Sequence, residues 1–209
     1  MTDTLIVRYM NTGDIPQVMA IDAVCFNPPW PEQSYRFELN QSQVAHMLVL
    51  ETFEEQTIPR WRQWLNRLLG RQIKSEKKSI IVGYGGLWQV VEEAHISTIA
   101  SHPDYRGRKF GELLLVSMVK RSIMLKAEYI VLEVRVSNSV AQSLYKKYGF
   151  EIHGTKKNYY QRDQEDAYDM RLMLTDDAIA QVETLYQILC KQVHFDNRYS
   201  NTLHPRLKK

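Results

Sequence analysis

Twice between residues 94 and 150 the sequence runs from a strand through a turn into a helix, and that succession restricts the chain to architectures with interleaved strands and helices. Residues 80–91 and 94–101 are strand-like and separated by Glu92-Glu93, the pattern of an antiparallel hairpin. A turn rich in arginine, lysine and glycine follows Pro103. Residues 111–125 then place Leu114, Leu115, Met118 and Val119 at helical spacings, which predicts an amphipathic helix. Residues 129–136 are β-branched and apolar, as a buried strand is. Asn138 is positioned to cap the next helix, on which Ala141, Leu144, Tyr145 and Tyr148 share a face, and Gly149 supplies its left-handed terminus.

The flanks extend this pattern. Residues 5–9 alternate as an edge or half-buried strand does, and Asp14 is placed to cap a helix with Pro16 in its first turn and Val18, Ile21 and Phe26 near one face. Asn27-Pro28-Pro29-Trp30-Pro31 must break that helix, because proline removes donors and restricts its predecessor. A second helix is predicted over 32–40, and strands over 44–53, 150–158 and 167–174. The expected order is β-α-α-β-β-β-α-β-α-β-β, a mixed sheet within a domain spanning residues 1–174. Residues 175–209 form an appendage: Thr175 or Asp176 opens a helix striped by Ile179, Val182, Tyr186 and Leu189, and from Asp196 the chain turns polar and is expected to be partly disordered.

With 44% hydrophobic and 24% charged residues, the composition is that of a soluble globular protein. Cys25 and Cys190 lie far apart without partners at ligand spacing, so neither a disulfide framework nor a metal site is expected, and a reducing compartment is. The first residues, Met1-Thr2-Asp3, lack the basic character of a targeting peptide, and no apolar run reaches the roughly 18 residues that span a bilayer, which points to the cytoplasm. The net charge of +3 is unevenly spread: residues 56–78 hold seven bases and one acid, a surplus of six, leaving −3 elsewhere. Within an insertion at about 54–79, Trp61, Trp64, Leu65 and Leu68 mark one helical face, ringed by Arg60, Arg62, Arg67 and Arg71. Such a basic amphipathic helix, over 58–76, could lie on an anionic membrane, grip RNA phosphates on a ribosome, or cover its own domain with the C-terminal helix as packing partner. No specific DNA binding is expected.

Chemistry concentrates in two blocks. The first, I-A-S-H-P-D-Y-R-G-R-K-F-G from Ile99 to Gly111, sets Arg106, Gly107, Arg108 and Lys109 just before a helix start, where unpaired N–H groups and positive charge make a pyrophosphate cradle. By itself it is equally a solvated basic turn, and it carries neither a P-loop ending nor dinucleotide glycine spacing. The second runs from Leu132-Glu133-Val134-Arg135-Val136-Ser137-Asn138 through Ala141 and Leu144-Tyr145 to Tyr148-Gly149-Phe150. On spacing alone, Glu133 could be a strand carboxylate satisfied by Arg135 or a lysine, and Tyr145 a core aromatic.

Together the blocks closely resemble the GNAT acetyltransferase superfamily, and within it the ribosomal-protein-alanine N-acetyltransferase (RimI) group. Phe26 with Pro29-Trp30, and Asn158-Tyr159-Tyr160 with Glu165-Asp166-Ala167 and Met170, support the same group; the resemblance covers about residues 5–174 apart from the insertion. It implies the GNAT fold, an α/β (α+β) arrangement whose mixed, mostly antiparallel central sheet is flanked by helices, here with an inserted basic helix and a C-terminal helical extension. It further implies acetyl-coenzyme A as cosubstrate, with Ile99, Ala100 and Ser101 along the pantetheine arm, Arg106, Gly107, Arg108, Lys109, Phe110 and Gly111 at the pyrophosphate, and Asn138 on the cofactor. Glu133 matches the general base and Tyr145 the general acid, while Trp30, Tyr159 and Tyr160 match the acceptor side. The implied acceptor is a protein N-terminus, that of ribosomal protein S18 in the RimI group.

The chemistry asks for the same residue types. A protein α-amine, with a reference pKa near 8, is mostly protonated at neutral pH and must lose a proton before attacking a thioester. A strand carboxylate can receive that proton directly or through water, a phenol can protonate the departing thiolate, and backbone donors can stabilise the carbonyl oxygen. Lys109 departs from the pattern, since the usual loop has glycine there: either the backbone takes an ordinary dihedral or the lysine adds a phosphate contact. Two other functions stay open, acetylation of another N-terminus, a lysine or a polyamine, and a non-catalytic acyl-coenzyme A sensor or ribosome-binding module.

Overall fold

The seven predicted strands and one further short strand assemble into one eight-stranded sheet in a computed structural model that describes residues 5–55 and 77–200. In chain order the elements are β1 (Leu5–Tyr9), α1 (Ile15–Cys25), α2 (Glu32–Asn40), β2 (Ala45–Glu55), β3 (Lys77–Val90), β4 (Glu93–Ser101), α3 (Phe110–Met124), β5 (Tyr129–Arg135), α4 (Ser139–Lys147), β6 (Glu151–Tyr160), β7 (Glu165–Met173), α5 (Asp176–Gln192) and β8 (Phe195–Asn197). The strand order is β6-β7-β5-β4-β3-β2-β1-β8. Neighbours are antiparallel except β4 with β5 and β1 with β8, so the sheet is mixed and mostly antiparallel as expected. β2 and β3 remain paired out to Glu55 and Lys77. The basic helix predicted over 58–76, with its membrane or ribosome contacts, lies outside the described residues.

Each face of the sheet has its own apolar layer. On one, Leu113, Leu114, Leu115, Met118 and Val119 of α3 are fully buried against Val82, Leu87, Ile96, Ile130 and Leu132. On the other, Ile15, Val18 and Ile21 of α1 and Tyr35 of α2 cover Met47, Val49, Ile81 and Tyr84. The burial of α3 exceeds that of a one-sided amphipathic helix because α5 joins the same cluster through Val182 and Leu189. Lys120 of α3 meets Glu183 of α5 at 2.5 Å and lies over the Tyr186 ring at 4.1 Å. Among the described residues, the C-terminal helix thus packs on α3, and Thr175 is its cap, accepting from the Ala178 N–H.

One expectation needs correction. Asp14 does not cap α1 with its side chain; its carboxylate accepts from the Asn11 N–H at 2.8 Å and pairs with Arg8 at 2.7 Å, so it closes the turn before the helix. Of the polar segment from Asp196, the described residues reach Ser200. Its main chain adds β8 parallel to β1, so a polar sequence gains backbone partners that composition does not reveal. Tyr199 is fully buried, donates to the His46 carbonyl at 2.9 Å and packs 4.7 Å from the Tyr9 ring. Residues 201–209 lie outside the described residues. Tyr199→Ala should therefore lower the unfolding free energy by about 3 kcal/mol, as large-to-small core changes do. Urea denaturation followed by circular dichroism measures this, and an unchanged midpoint would show that the segment does not pack.

Candidate active site

β4 and β5 pair in parallel only from Glu93–Tyr129 to Ile96–Leu132, although β4 runs on to Ser101 and β5 to Arg135. They part where β4 is irregular: against β3 the register passes from Gly86–Thr98 to Leu87–Ile96, leaving Ser97 without a partner. Gly86 lets the strands approach closely there, because a Cβ on it would stand 2.7 Å from Ser97 Oγ and displace that side chain. Such a bulge bends its strand and leaves main-chain groups unpaired. The wedge between the strands opens into a cavity of about 350 Å³. Ser97, Thr98 and Ile99 line one side, Glu133, Val134 and Arg135 the other, and Asn138 and Tyr145 reach it from α4.

Glu133 projects from β5 away from Ile130, Leu132 and Val134, which face α3. Its Oε2 lies 2.8 Å from His95 Nε2 on β4, and its Oε1 accepts from the Lys156 ammonium on β6. Burial alone would raise the carboxyl pKa, but these two hydrogen bonds and their charges outweigh it and hold the group down at about 2. Arg135, the other partner considered, instead pairs with Asp163 and Glu165, both at 2.6 Å, and stacks over the Tyr160 ring at 3.8 Å.

Tyr145 is placed by the cap of its helix: Asn138 Oδ1 accepts from the Ala141 N–H at 3.1 Å, and Gly149 at φ 89° ends the helix so that the Phe150 N–H returns to the Tyr145 carbonyl. The ring is 5% exposed. Burial, with the nearby Tyr160, pushes its hydroxyl well above the ordinary phenol range, so it stays protonated. Tyr160 itself is pushed up to about 12, chiefly by burial against the lowering effect of Arg135.

Trp30, Tyr159 and Tyr160 line the same cavity with Phe26 and Asn27. The tip of the β6–β7 hairpin reaches the α1–α2 loop, where the Arg162 guanidinium donates to Asn27 Oδ1. Ala100 and Ser101 do not line the cavity. Ala100 is buried on the α1 side, and the Ser101 carbonyl accepts from the Cys25 thiol at 3.6 Å.

Past the end of β4, the turn carries two left-handed residues, Gly107 at φ 76° and Lys109 at φ 63°, before α3 begins at Phe110. Lysine accepts the glycine-like conformation with its side chain present, at a cost of about 1–2 kcal/mol, so the ordinary-dihedral alternative is excluded. Lys109 makes no side-chain cap on α3, and its ammonium lies 3.9 Å from Glu112. Arg106 points to Cys25 at 3.7 Å. Arg108 lies over the Tyr105 ring at 5.1 Å and, with the largely buried Phe110, lines a second cavity of about 550 Å³. A Cβ at Gly111 would meet nothing within 4 Å.

His95, Lys156 and Asp22 are site residues that sequence reasoning missed. His95 and Lys156 are 38 and 23 residues from Glu133, and only strand pairing brings them together. The one available signal is alternation, which puts His95 opposite in facing to Ala94 and Ile96 of the core.

Comparison with known proteins matches residues 15–150 to the acetyltransferase (GNAT) family. A Bacillus subtilis protein, whose name assigns it provisionally as a ribosomal protein bS18-alanine N-acetyltransferase, is 36% identical over 170 residues, which are 81% of this chain and 96% of that protein. The ribosomal-protein-S18-alanine N-acetyltransferase of Escherichia coli has a similar crystal structure, with a TM-score of 0.63 at 24% identity over 82% of this chain and 95% of that one. The PaiA N-acetyltransferase of Thermoplasma acidophilum, solved in complex with coenzyme A, matches with a TM-score of 0.57 at 15% identity over 81% of this chain and 99% of its own.

Because Glu133 has a lower pKa folded than unfolded, its stabilising effect is complete above about pH 4.3 and is lost as pH falls toward 2. Thermal unfolding of the protein and of Glu133→Gln should differ most at pH 6 and converge near pH 2. A difference that does not change with pH would contradict the hydrogen-bonded carboxylate.

Proposed function

The chain belongs to the GNAT acetyltransferase family, and on that premise we propose that it acetylates the α-amine of a protein N-terminus, with the N-terminal alanine of ribosomal protein S18 as its target. One observation carries the reading: a carboxylate held ionised and a phenol held neutral line one cavity where two parallel strands part. Environments that drive two titratable groups apart in this way assign their roles.

The wedge fits acetyl-coenzyme A. An open strand edge at Ser97, Thr98 and Ile99 suits the amides of a pantetheine arm. The two left-handed residues before α3, with the arginines around them, suit a diphosphate at a helix start. Bound there, acetyl-coenzyme A supplies the acetyl group already activated as a thioester. Ile99 and Asn138 would hold the arm, and Arg106, Gly107, Lys109 and the first N–H groups of α3 the diphosphate.

On the acceptor side, Trp30, Tyr159 and Tyr160 wall the approach, and the bridge from Arg162 to Asn27 joins the β6–β7 turn, next to the tyrosines at the end of β6, to the loop that carries Trp30. A chain end passes between joined loops more readily than a lysine in mid-chain, which favours an N-terminus. Glu133 attracts the ammonium by its charge. With a pKa of about 2 it lies some 6 units below an α-amine, so it holds the transferred proton only briefly. The proton is passed on through His95, at 2.8 Å, or through water. Tyr145, buried and neutral, donates from its hydroxyl to the leaving thiolate.

Incubation with acetyl-coenzyme A and a peptide bearing the S18 N-terminus should add one acetyl group by mass. Glu133→Gln and Tyr145→Phe should slow turnover about 100-fold or more, the scale of general acid–base catalysis. Modification of lysine peptides or polyamines in place of the N-terminus would overturn the acceptor, and acetyl-coenzyme A binding without turnover on any amine would overturn the catalytic reading.

A further inference from the structure

The cleft wall holds a second carboxylate that the proposed chemistry leaves unused. Asp22, near the end of α1, is 1% exposed and lines the cavity with Glu133. Both of its oxygens are engaged: Oδ1 accepts from the Tyr84 hydroxyl, and Oδ2 accepts from the Trp30 N–H at 2.5 Å. Tyr84 in turn accepts from the Tyr35 hydroxyl at 3.3 Å, and both tyrosines are fully buried in the layer beneath α1. A buried carboxylate is costly unless its hydrogen bonds are made, so a group kept here needs a task.

The sequence of the adjoining loop supplies one. Pro28, Pro29 and Pro31 have no N–H, so Trp30 offers the single backbone donor between Asn27 and Glu32. That donor is the one Asp22 accepts. The indole it fixes lies 5.6 Å from the Tyr35 ring and stacks on Trp88 at 6.4 Å and 22°. Trp88 meets the His95 ring edge-on at 5.4 Å, and His95 reaches Glu133. A run of contacts therefore leads from Asp22 through Trp30, Trp88 and His95 to the carboxylate proposed to receive the proton.

We propose that Asp22 is the positioning residue of the acceptor side, fixing Trp30 through the loop's single backbone donor and so setting the wall against which the incoming amine is aligned. The inference rests on the acetyl-transfer reading of this cleft. Asp22 touches no reacting atom in that reading, and it acts through Trp30.

The test compares Asp22→Ala, Asp22→Asn and Tyr84→Phe with the unaltered protein, by steady-state kinetics with the S18 peptide and by near-ultraviolet circular dichroism. Asp22→Ala should raise KM for the peptide about tenfold while leaving KM for acetyl-coenzyme A and kcat within about twofold. Asp22→Asn keeps an acceptor for the Trp30 N–H and should restore most of the peptide KM; Tyr84→Phe loses one support and should raise it about threefold. The dichroic band assigned to the Trp30–Trp88 pair with Trp30→Phe should weaken in Asp22→Ala and return in Asp22→Asn. A merely structural role would move both KM values together, and that result, or an unchanged peptide KM in a folded variant, overturns the proposal. Should Asp22→Ala not fold, the Tyr84→Phe result decides by the same criterion. If the unaltered protein acetylates no amine, the transfer reading fails separately, and an unchanged band in Asp22→Ala would still sink the hold of Asp22 on Trp30.

Discussion

The parting of β4 from β5 is the constraint on which the rest of the molecule is built. Two parallel strands that pair for four residues and then diverge leave two edges of main chain facing a gap in the middle of the sheet. Unpaired backbone groups inside a protein are tolerated only where something completes them, so an open wedge in a central sheet implies a ligand that can pair with it. The divergence is produced locally by the bulge at Ser97 and the glycine opposite it, and it is held open by both layers. The α3 layer packs under Ile96 and Leu132 up to the last paired residues, and α1 and α2 cover the other face.

The wedge also sets the electrostatics. Glu133 leaves β5 on the α1 side just past the point of parting, near enough to β4 for His95 and to the hairpin for Lys156. Tyr145 approaches from α4 into an apolar wall with Phe150. Burial thus has opposite consequences: hydrogen bonds to His95 and from the Lys156 ammonium keep the carboxylate charged, and the lack of a counterpart at Tyr145 keeps the phenol neutral. Separate elements of the fold deliver the two groups to one cavity, and neither environment exists until the sheet has formed.

Much of the fold was legible because it is written locally. Alternation marked the strands, Asn138 and Gly149 bounded α4, and the proline-rich run after Phe26 ended α1, each through a preference acting within a few residues. What was not legible depends on pairing at a distance. β8 is three residues of mixed polarity whose only claim to be a strand is the open edge of β1. Asp14 looked like a helix cap and is engaged by Arg8 and Asn11. In the cleft, Glu133 and Tyr145 could be named from a motif, whereas Lys156 and Asp22 carry no local mark and His95 only the alternation of its strand. The conformation of Lys109 was likewise open, since a side chain there neither forbids nor requires the left-handed state.

Hydrogen–deuterium exchange with and without coenzyme A tests the wedge most directly, since it reports on the main-chain groups at issue and needs no acceptor. The account predicts that coenzyme A slows exchange in two stretches, 97–101 along the free edge of β4 and 107–112 at the start of α3, and leaves the β1–β8 edge unchanged. Protection confined to other parts of the sheet, with 97–101 exchanging as before, would contradict it.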